Sequence, residues 1–185
     1  YYKMLPYEPA SRVPMIITGP GIAAGKKVDD LVSLVDIYPT LMDMGGISKP
    51  DGLHGYSLMT EALGKSGERP GWILSECFDS AIPSGWFMVR QGDWKYVVYH
   101  GYEPLLFNLK EDRWEARNFA AGNPAKAAEM DRLLRSIVDI DEVSERNERY
   151  NKASFRRWRE EHKAGVENAF KTIVGYVAFA GGTAG

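Results

Sequence analysis

Short apolar runs bounded by turn residues recur along the first 110 residues of the chain. Residues 13–18 are a β-branched run that stops at a Gly-Pro-Gly turn, which predicts a buried core strand. Further runs, rich in aromatic and β-branched residues, occupy residues 72–78, 86–90, 94–99 and 105–109. Their spacing predicts a small antiparallel meander.

A helix is predicted between the first strand and the meander. Residues 37–44 follow Asp36, a potential N-cap, and carry Pro39 in the first turn, where backbone N–H groups have no intrahelical partner. Gly45-Gly46 then supplies a C-terminal stop.

Two more helical segments follow the meander. Asn123-Pro124 is a typical helix start, and an apolar stripe beyond it predicts a helix that covers one face of the meander. That stripe comprises Ala127, Met130, Leu134, Ile137 and Val138. Residues 143–163 are strongly charged with interspersed aromatic residues, which is typical of a surface helix or pair of helices.

The stretch 49–69 is rich in Gly, Pro, Ser and charge, so we expect a boundary there. We divide the chain into residues 1–68, a sheet-and-helix subdomain at 69–165, and a tail of unclear structure at 166–185.

Composition argues against several kinds of function, namely nucleic-acid binding, membrane spanning and cysteine-rich zinc binding. Lys and Arg total 23 against 25 for Asp and Glu, so the formal charge of −2 predicts no general attraction to nucleic acid or to an anionic membrane. No apolar run approaches the roughly 20 residues that span a bilayer. Cys77 is the only cysteine, which excludes an internal disulfide and a cysteine-rich zinc site.

The strongest candidate for chemistry lies at the start of the chain. Residues 2–14 read YKMLPYEPASRVP and run into the apolar segment 13–18. This order resembles a stretch found in sulfatases of the alkaline-phosphatase-like superfamily, in which the lysine contributes to the sulfate pocket. The resemblance implies that Lys3 is a catalytic and substrate-binding residue. A compact ammonium with three donors suits the charge that develops on sulfate oxygens.

Further stretches are similar to the same family in the same order. They are VSLVDIYPTL at 32–41, DGLHGYSL at 51–58, and residues 87–119, which contain an Arg-x-Gly-x-x-Lys-Tyr hairpin and a Glu-x-x-Asn helix start. Residues 143–160 resemble the tail of arylsulfatase K-type enzymes. The resemblance covers about residues 1–160. It implies an α/β fragment, namely the edge of the large α/β domain plus a small antiparallel sheet packed on a C-terminal helix.

The resemblance also implies components that this chain does not supply. Sulfatases use a formylglycine made within a Cys-x-Pro-Ser-Arg motif, and they bind calcium through grouped oxygen ligands. Cys77 lies in Cys-Phe-Asp-Ser-Ala, so we interpret it as a small buried hydrophobic residue. Calcium and formylglycine are therefore expected in the full-length enzyme, with no metal bound by this chain.

Three other residues receive roles from their positions. Glu8 and Arg12 are interpreted as an ion pair that supports the Lys3 segment. His100 lies in the turn after residues 94–99, from which sulfatases often point a side chain toward the substrate. The alternatives are a surface lysine for Lys3 and a solvated turn histidine for His100.

The sequence thus favours the C-terminal part of an enzyme that hydrolyses sulfate esters, with a sulfated sugar as substrate and no activity without the upstream part. One alternative is a phosphoesterase or phosphonate hydrolase of the same superfamily, because a lysine also serves phosphate. Another is a noncatalytic carbohydrate-binding module, if Trp72, Trp86, Trp94 and Tyr99 face outward.

The expected partners follow from the same interpretation. They are the sulfate ester, the N-terminal part of the same enzyme and a second copy of the chain, since apolar residues 13–18 are exposed without a domain partner. A periplasmic, secreted or lysosomal location is implied by the resemblance.

Overall fold

The computed structural model describes residues 4–65, 69–78, 84–163 and 165. The chain forms two compact units, Tyr1–Ile140 and Asp141–Gly185. The expected boundary between residues 68 and 69 stays a prediction. Lys3 and the tail 166–185 lie outside the described residues.

The predicted meander is confirmed as a four-stranded antiparallel sheet with strand order β1-β2-β3-β4. Its strands are β1 (Trp72–Cys77), β2 (Trp86–Gln91), β3 (Trp94–Tyr99) and β4 (Leu105–Asn108). The turn between β2 and β3 contains Gly92 at φ 57°, a backbone conformation that glycine adopts without steric cost. This hairpin is the Arg-x-Gly-x-x-Lys-Tyr motif.

One face of the sheet packs against α4 (Pro124–Ile137), as the apolar stripe predicted. Met130 and Leu134 of α4 have no exposed surface. The Tyr96 hydroxyl donates a hydrogen bond to Asp131 Oδ1 over 3.1 Å, and burial and the neighbouring carboxylate together raise the pKa of Tyr96. The helix therefore contributes both apolar and polar contacts to this face.

The other face of the sheet packs against residues 4–11, which include the single helical turn α1 (Glu8–Ser11). Buried residues of this face are Trp86, Met88, Val97 and Phe107. Tyr7 lies on Phe107 with ring centroids 5.9 Å apart. The Trp86 indole Nε1 donates to the Met4 carbonyl over 2.8 Å. The beginning of the chain is thus part of the core of the sheet.

The predicted helix at 37–44 is confirmed as α2 (Ile37–Met44), preceded by a 3₁₀ turn at Leu34–Asp36. It ends at Gly45, and Gly46 follows at φ 64°. Asp36, however, does not cap α2 with its side chain. Its Oδ2 accepts a hydrogen bond from the Ser33 N–H and its Oδ1 accepts one from Tyr56 N–H. The carboxylate therefore joins α2 to the later Gly-Tyr-Ser-Leu turn, which leads into α3 (Met59–Ala62).

The prediction of a buried strand at residues 13–18 is wrong for this chain. The segment has no strand pairing in the described residues, and Ile16 is 87% exposed. An apolar run becomes a core strand only when a neighbouring strand satisfies its backbone groups, and the described residues place none beside it. The expected helix start at Glu115 is also wrong, because residues 115–118 form a loop.

The second unit is described over residues 141–163 and 165. The helix α5 (Ile140–Glu161) contains most of these described residues, and its Tyr150 and Phe155 are largely exposed. This confirms a surface helix, and the exposed His162 follows its end. Among the described residues, none of the helices is long and apolar enough to cross a membrane.

Candidate functional site

A cluster of charged side chains joins residues 4–11 to the meander. It consists of Glu8 from α1, Arg90 from β2, Lys95 from β3 and Glu115 from the loop before α4. The Lys95 and Glu115 side chains have no exposed surface, and that of Glu8 is 14% exposed. Residues up to 107 positions apart in sequence therefore meet beside α1.

Lys95 is buried because of strand alternation. It lies on the same face of β3 as Val97, which belongs to the apolar core under residues 4–11. Its Nζ donates to Glu8 Oε1 over 2.9 Å, to Glu115 Oε1 over 2.8 Å and to Ser11 Oγ over 3.3 Å. An ammonium has three N–H donors, so all of them are used.

Glu115 binds two partners at once. Its Oε1 accepts from Lys95, while its Oε2 accepts from the Glu8 backbone N–H over 2.6 Å. The backbone of Glu115 has φ 55°, which makes it the one described non-glycine residue in the left-handed region. That conformation is uncommon for a residue with a side chain of this kind. The carboxylate therefore sits at a position where the backbone alone would favour glycine.

The charges of the cluster balance. Arg90 and Lys95 are directly opposite each other in the β2–β3 register, where two like charges repel. Glu8 lies between them, because its Oε2 is 3.4 Å from Arg90 Nη1 and its Oε1 binds Lys95. Two carboxylates thus neutralise two cations. The cluster has no spare charge to bind an anionic ligand, so its chemistry fits a structural link.

A second buried cluster lies in the α2–α3 region. Arg69 Nη1 is 2.8 Å from Asp36 Oδ2, and its Nε is 2.5 Å from Glu61 Oε1. The Arg69 Nη2 group also donates to the Tyr56 and Ser57 carbonyls. Burial by itself would raise the pKa of Glu61, but the hydrogen bond from Arg69 and nearby positive charge hold that pKa below its ordinary value.

The Gly-Tyr-Ser-Leu turn is fixed between these elements. A Cβ atom at Gly55 would collide with the Val35 carbonyl, so only glycine fits there. The Leu58 N–H donates to Thr40 Oγ1 over 2.9 Å. The two sequence stretches 32–41 and 51–58 are therefore one packed unit.

The structure distributes the sequence-predicted site residues as follows. Lys3 lies outside the described residues. The predicted ion pair between Glu8 and Arg12 is wrong. Glu8 binds Lys95 and Arg90 instead, and Arg12 is exposed. Arg12 follows α1, where the chain leaves the sheet. His100 is exposed in the turn after β3, and Ser84 Oγ donates to its carbonyl over 2.9 Å.

The described residues offer no site for the calcium and formylglycine that the resemblance implies for the whole enzyme. Among the described residues, no group of three or more His, Cys, Asp or Glu side chains is placed to hold a metal ion, whereas calcium takes six to eight oxygen ligands. Cys77 ends β1 and is partly buried against the core beneath residues 4–11. Its packing fits the small hydrophobic role predicted for it.

The aromatic side chains of the meander fill the two faces of the sheet. Trp86 is 4% exposed, and Trp72, Trp94 and Tyr99 are partly buried. Trp94 meets Phe119 edge to face at 6.4 Å, and burial raises the pKa of Tyr99. Trp86 lies under residues 4–11 and not under α4. Trp86 is therefore not available to an outward platform for sugar binding, and Trp94 packs on Phe119.

Lys95, Arg90 and Glu115 were not predicted to form a charged cluster. All three lie inside the stretches that resemble the family, where their pattern indicates a hairpin and a helix start. One signal was present, since the period-two pattern of β3 directs Lys95 to the apolar side with Val97. A lysine in that position needs carboxylate partners.

A family model described as "N-sulphoglucosamine sulphohydrolase, C-terminal" matches residues 1–142. Arylsulfatase K of Danio rerio is 40% identical over 167 residues, which cover 86% of this chain and 32% of the relative. Arylsulfatase K of Homo sapiens is 38% identical over 170 residues, with the same shares covered. The chain thus spans about a third of the length of these curated relatives.

Solved structures of related hydrolases superpose on this chain. A 2-O GAG sulfatase superposes with a TM-score of 0.59 and 30% identity, over 64% of this chain and 28% of that protein. A phosphonate monoester hydrolase of Silicibacter pomeroyi superposes with a TM-score of 0.61 and 27% identity, over 73% of this chain and 30% of that protein. Both comparisons confirm the α/β sulfatase-like fold class.

Proposed function

Since this chain belongs to the family of sulfatase C-terminal domains, we propose that it is the C-terminal portion of an enzyme that hydrolyses sulfate esters. In this proposal Lys3 donates hydrogen bonds to the sulfate group in the complete enzyme. Its fixed positive charge stabilises the negative charge that develops on the sulfate oxygens during cleavage.

The observation that supports this proposal is the anchoring of the residues directly after Lys3. The Met4 carbonyl accepts the Trp86 indole hydrogen bond, and Glu8 is bound to Lys95 and Glu115. The segment from Met4 to Glu8 is thus held at both ends, and catalysis by a fixed charge needs a rigid support of this kind. The sheet subdomain would then serve as the support of this segment.

The nucleophile and metal of the complete enzyme belong to residues outside this chain in this proposal. Formylglycine would supply the attacking oxygen, and calcium would stabilise negative charge on the sulfate. The described residues hold neither group, because Cys77 packs in the sheet and no oxygen ligands are grouped for a metal. The isolated 185-residue chain is therefore expected to have no turnover.

The substrate is proposed to be a sulfated sugar, with a uronate 2-sulfate as the first compound to test. Similarity to a 2-O GAG sulfatase, at 30% identity, supports this class. His100 is proposed to approach the substrate from the turn after β3, where it is exposed.

The test compares Lys3→Ala with Lys27→Ala in the complete enzyme. Lys27 is a suitable control because its side chain is 80% exposed and pairs only with the exposed Asp29 among the contacts of the described residues. With 4-nitrophenyl sulfate as substrate, Lys3→Ala is expected to lower kcat/KM by about 100-fold or more, the size of losing one transition-state donor. Unchanged kcat/KM in Lys3→Ala would refute the role of Lys3. Turnover by the isolated chain would refute its dependence on the upstream part.

A second candidate activity is hydrolysis of phosphonate or phosphate monoesters. The superposition on a phosphonate monoester hydrolase, at 27% identity, supports this second activity. The ratio of kcat/KM for 4-nitrophenyl sulfate to that for 4-nitrophenyl phenylphosphonate separates the two. A ratio above one supports the sulfatase, and a ratio below one supports the phosphonate hydrolase.

A further inference from the structure

We propose that Lys95 is a positioning residue that acts on the reaction through the Lys3 segment; this inference rests on the proposed role of Lys3. Lys95 has no exposed surface and donates all three of its protons within the cluster. It therefore has no free proton for a substrate. Its contacts are with Glu8 and Ser11, which lie at the two ends of α1, and with Glu115.

The geometry fixes the segment in two places that are close together in sequence. Lys95 and Glu115 bind the side chain and the backbone N–H of Glu8, five residues after Lys3. Trp86 binds the carbonyl of Met4, one residue after Lys3. Both supports belong to the same β2–β3 hairpin or to its immediate neighbour Glu115, so movement of the hairpin and movement of the segment are linked.

The charged residues of the cluster hold the Lys3 segment in one geometry more than they raise the free energy of unfolding. Buried ion pairs contribute little net stability compared with apolar side chains of the same volume, but they accept few alternative arrangements. The uncommon backbone conformation of Glu115 supports this view, because a strained position is retained where its carboxylate is needed. A Met side chain at position 95 would fill the space of Lys95 without the directional bonds to Glu8.

The experiment is a double-mutant cycle in the complete enzyme with Lys3→Ala and Lys95→Met, read as kcat and KM for 4-nitrophenyl sulfate. Lys95→Met is expected to lower kcat/KM by about 10- to 100-fold, mainly through kcat, as a displaced catalytic group does. In the Lys3→Ala background the same change is expected to lower kcat/KM by no more than about twofold, because the group on which it acts is gone.

A control separates positioning from loss of folding. Arg69→Met removes the cation of the other buried cluster, which does not touch residues 4–11, and it is expected to keep kcat/KM per folded molecule within about twofold. If Lys95→Met does not fold, Glu115→Gln takes its place in the cycle, since it removes the negative charge and leaves one oxygen, which can accept from the Glu8 N–H or from Lys95 but not from both.

Each outcome decides one of the two proposals. Equal losses from the position-95 change in both backgrounds, or no loss in either, would overturn the positioning role and leave the role of Lys3 intact. A Lys3→Ala enzyme with unchanged kcat/KM would instead overturn the proposed role of Lys3, on which the positioning role rests. A loss that disappears in the Lys3→Ala background supports both.

Discussion

Removal of Arg69 is the most informative perturbation of stability in this chain. Arg69→Met keeps a long apolar stem but removes the guanidinium that binds Asp36 and Glu61. The side chains of these acids are 4% and 5% exposed, so water cannot replace the lost partner without structural change. The Tyr56 and Ser57 carbonyls lose a donor as well.

The loss in the free energy of unfolding depends on the hydrogen bonds that Asp36 and Glu61 retain without Arg69. Breaking a buried pair by removing one partner costs about 3–5 kcal/mol. Asp36 retains hydrogen bonds from the Ser33 and Tyr56 N–H groups, at 2.9 and 2.7 Å, whereas Glu61 loses its close cationic partner. We therefore expect the lower end of the range, a fall of about 3 kcal/mol in the free energy of unfolding.

The measurement is urea denaturation followed by tryptophan fluorescence and far-UV circular dichroism. Lys49→Met is the matched control, because it removes a cation from the partly exposed pair with Asp43 and should lower the free energy of unfolding far less than Arg69→Met does. If the two variants lose the same free energy, the buried cluster does not stabilise the α2–α3 region in the way described.

Three further predictions concern the same fold. The lowered pKa of Glu61 means that its stabilisation is complete above its ordinary value of 4.5 and is lost as the pH falls through the folded-state value. Acid titration of unfolding should therefore be less steep in Glu61→Gln than in the wild type, and identical slopes would contradict this. Gly55→Ala is expected to cost about 1–3 kcal/mol through its clash with the Val35 carbonyl, while Gly71→Ala, with no atom within 4 Å of a new Cβ, should be near neutral in the same denaturation assay. Met130→Ala should lower the free energy of unfolding by about 2–5 kcal/mol, because the side chain is fully buried on α4, and a cost below that of Phe155→Ala, at an exposed site on α5, would refute the packing.

The clusters also show how the family resemblance is expressed in physical terms. The Asp-Ile-Tyr-Pro-Thr-Leu and Gly-Tyr-Ser-Leu stretches contact each other. The Asp36 and Thr40 side chains of the first stretch accept hydrogen bonds from backbone N–H groups of the second. The Arg-x-Gly-x-x-Lys-Tyr stretch places Arg90 and Lys95 opposite each other, where Glu8 can bind both. In each case, residues of one family-like stretch bind residues of another part of the chain.

Local patterns predicted the regular elements well. The meander strands follow from aromatic and β-branched runs between turn residues. The helix at 37–44 follows from Pro39 in its first turn and from the glycines at its end. The segment 13–18 shows the limit of this method. Its composition favours a strand, but a strand also needs a neighbour, and the described part of the chain provides none.

The sequence by itself determined the family resemblance, the four strands, the main helices and the candidate role of Lys3. Only the tertiary structure decided which charges meet. Glu8 is four residues from Arg12 but binds Lys95, 87 residues away, because the apolar face around Tyr7 packs on Phe107 and buries the carboxylate beside β3. Burial selects the partner of a charge, since an exposed arginine keeps its water while a buried lysine requires a carboxylate.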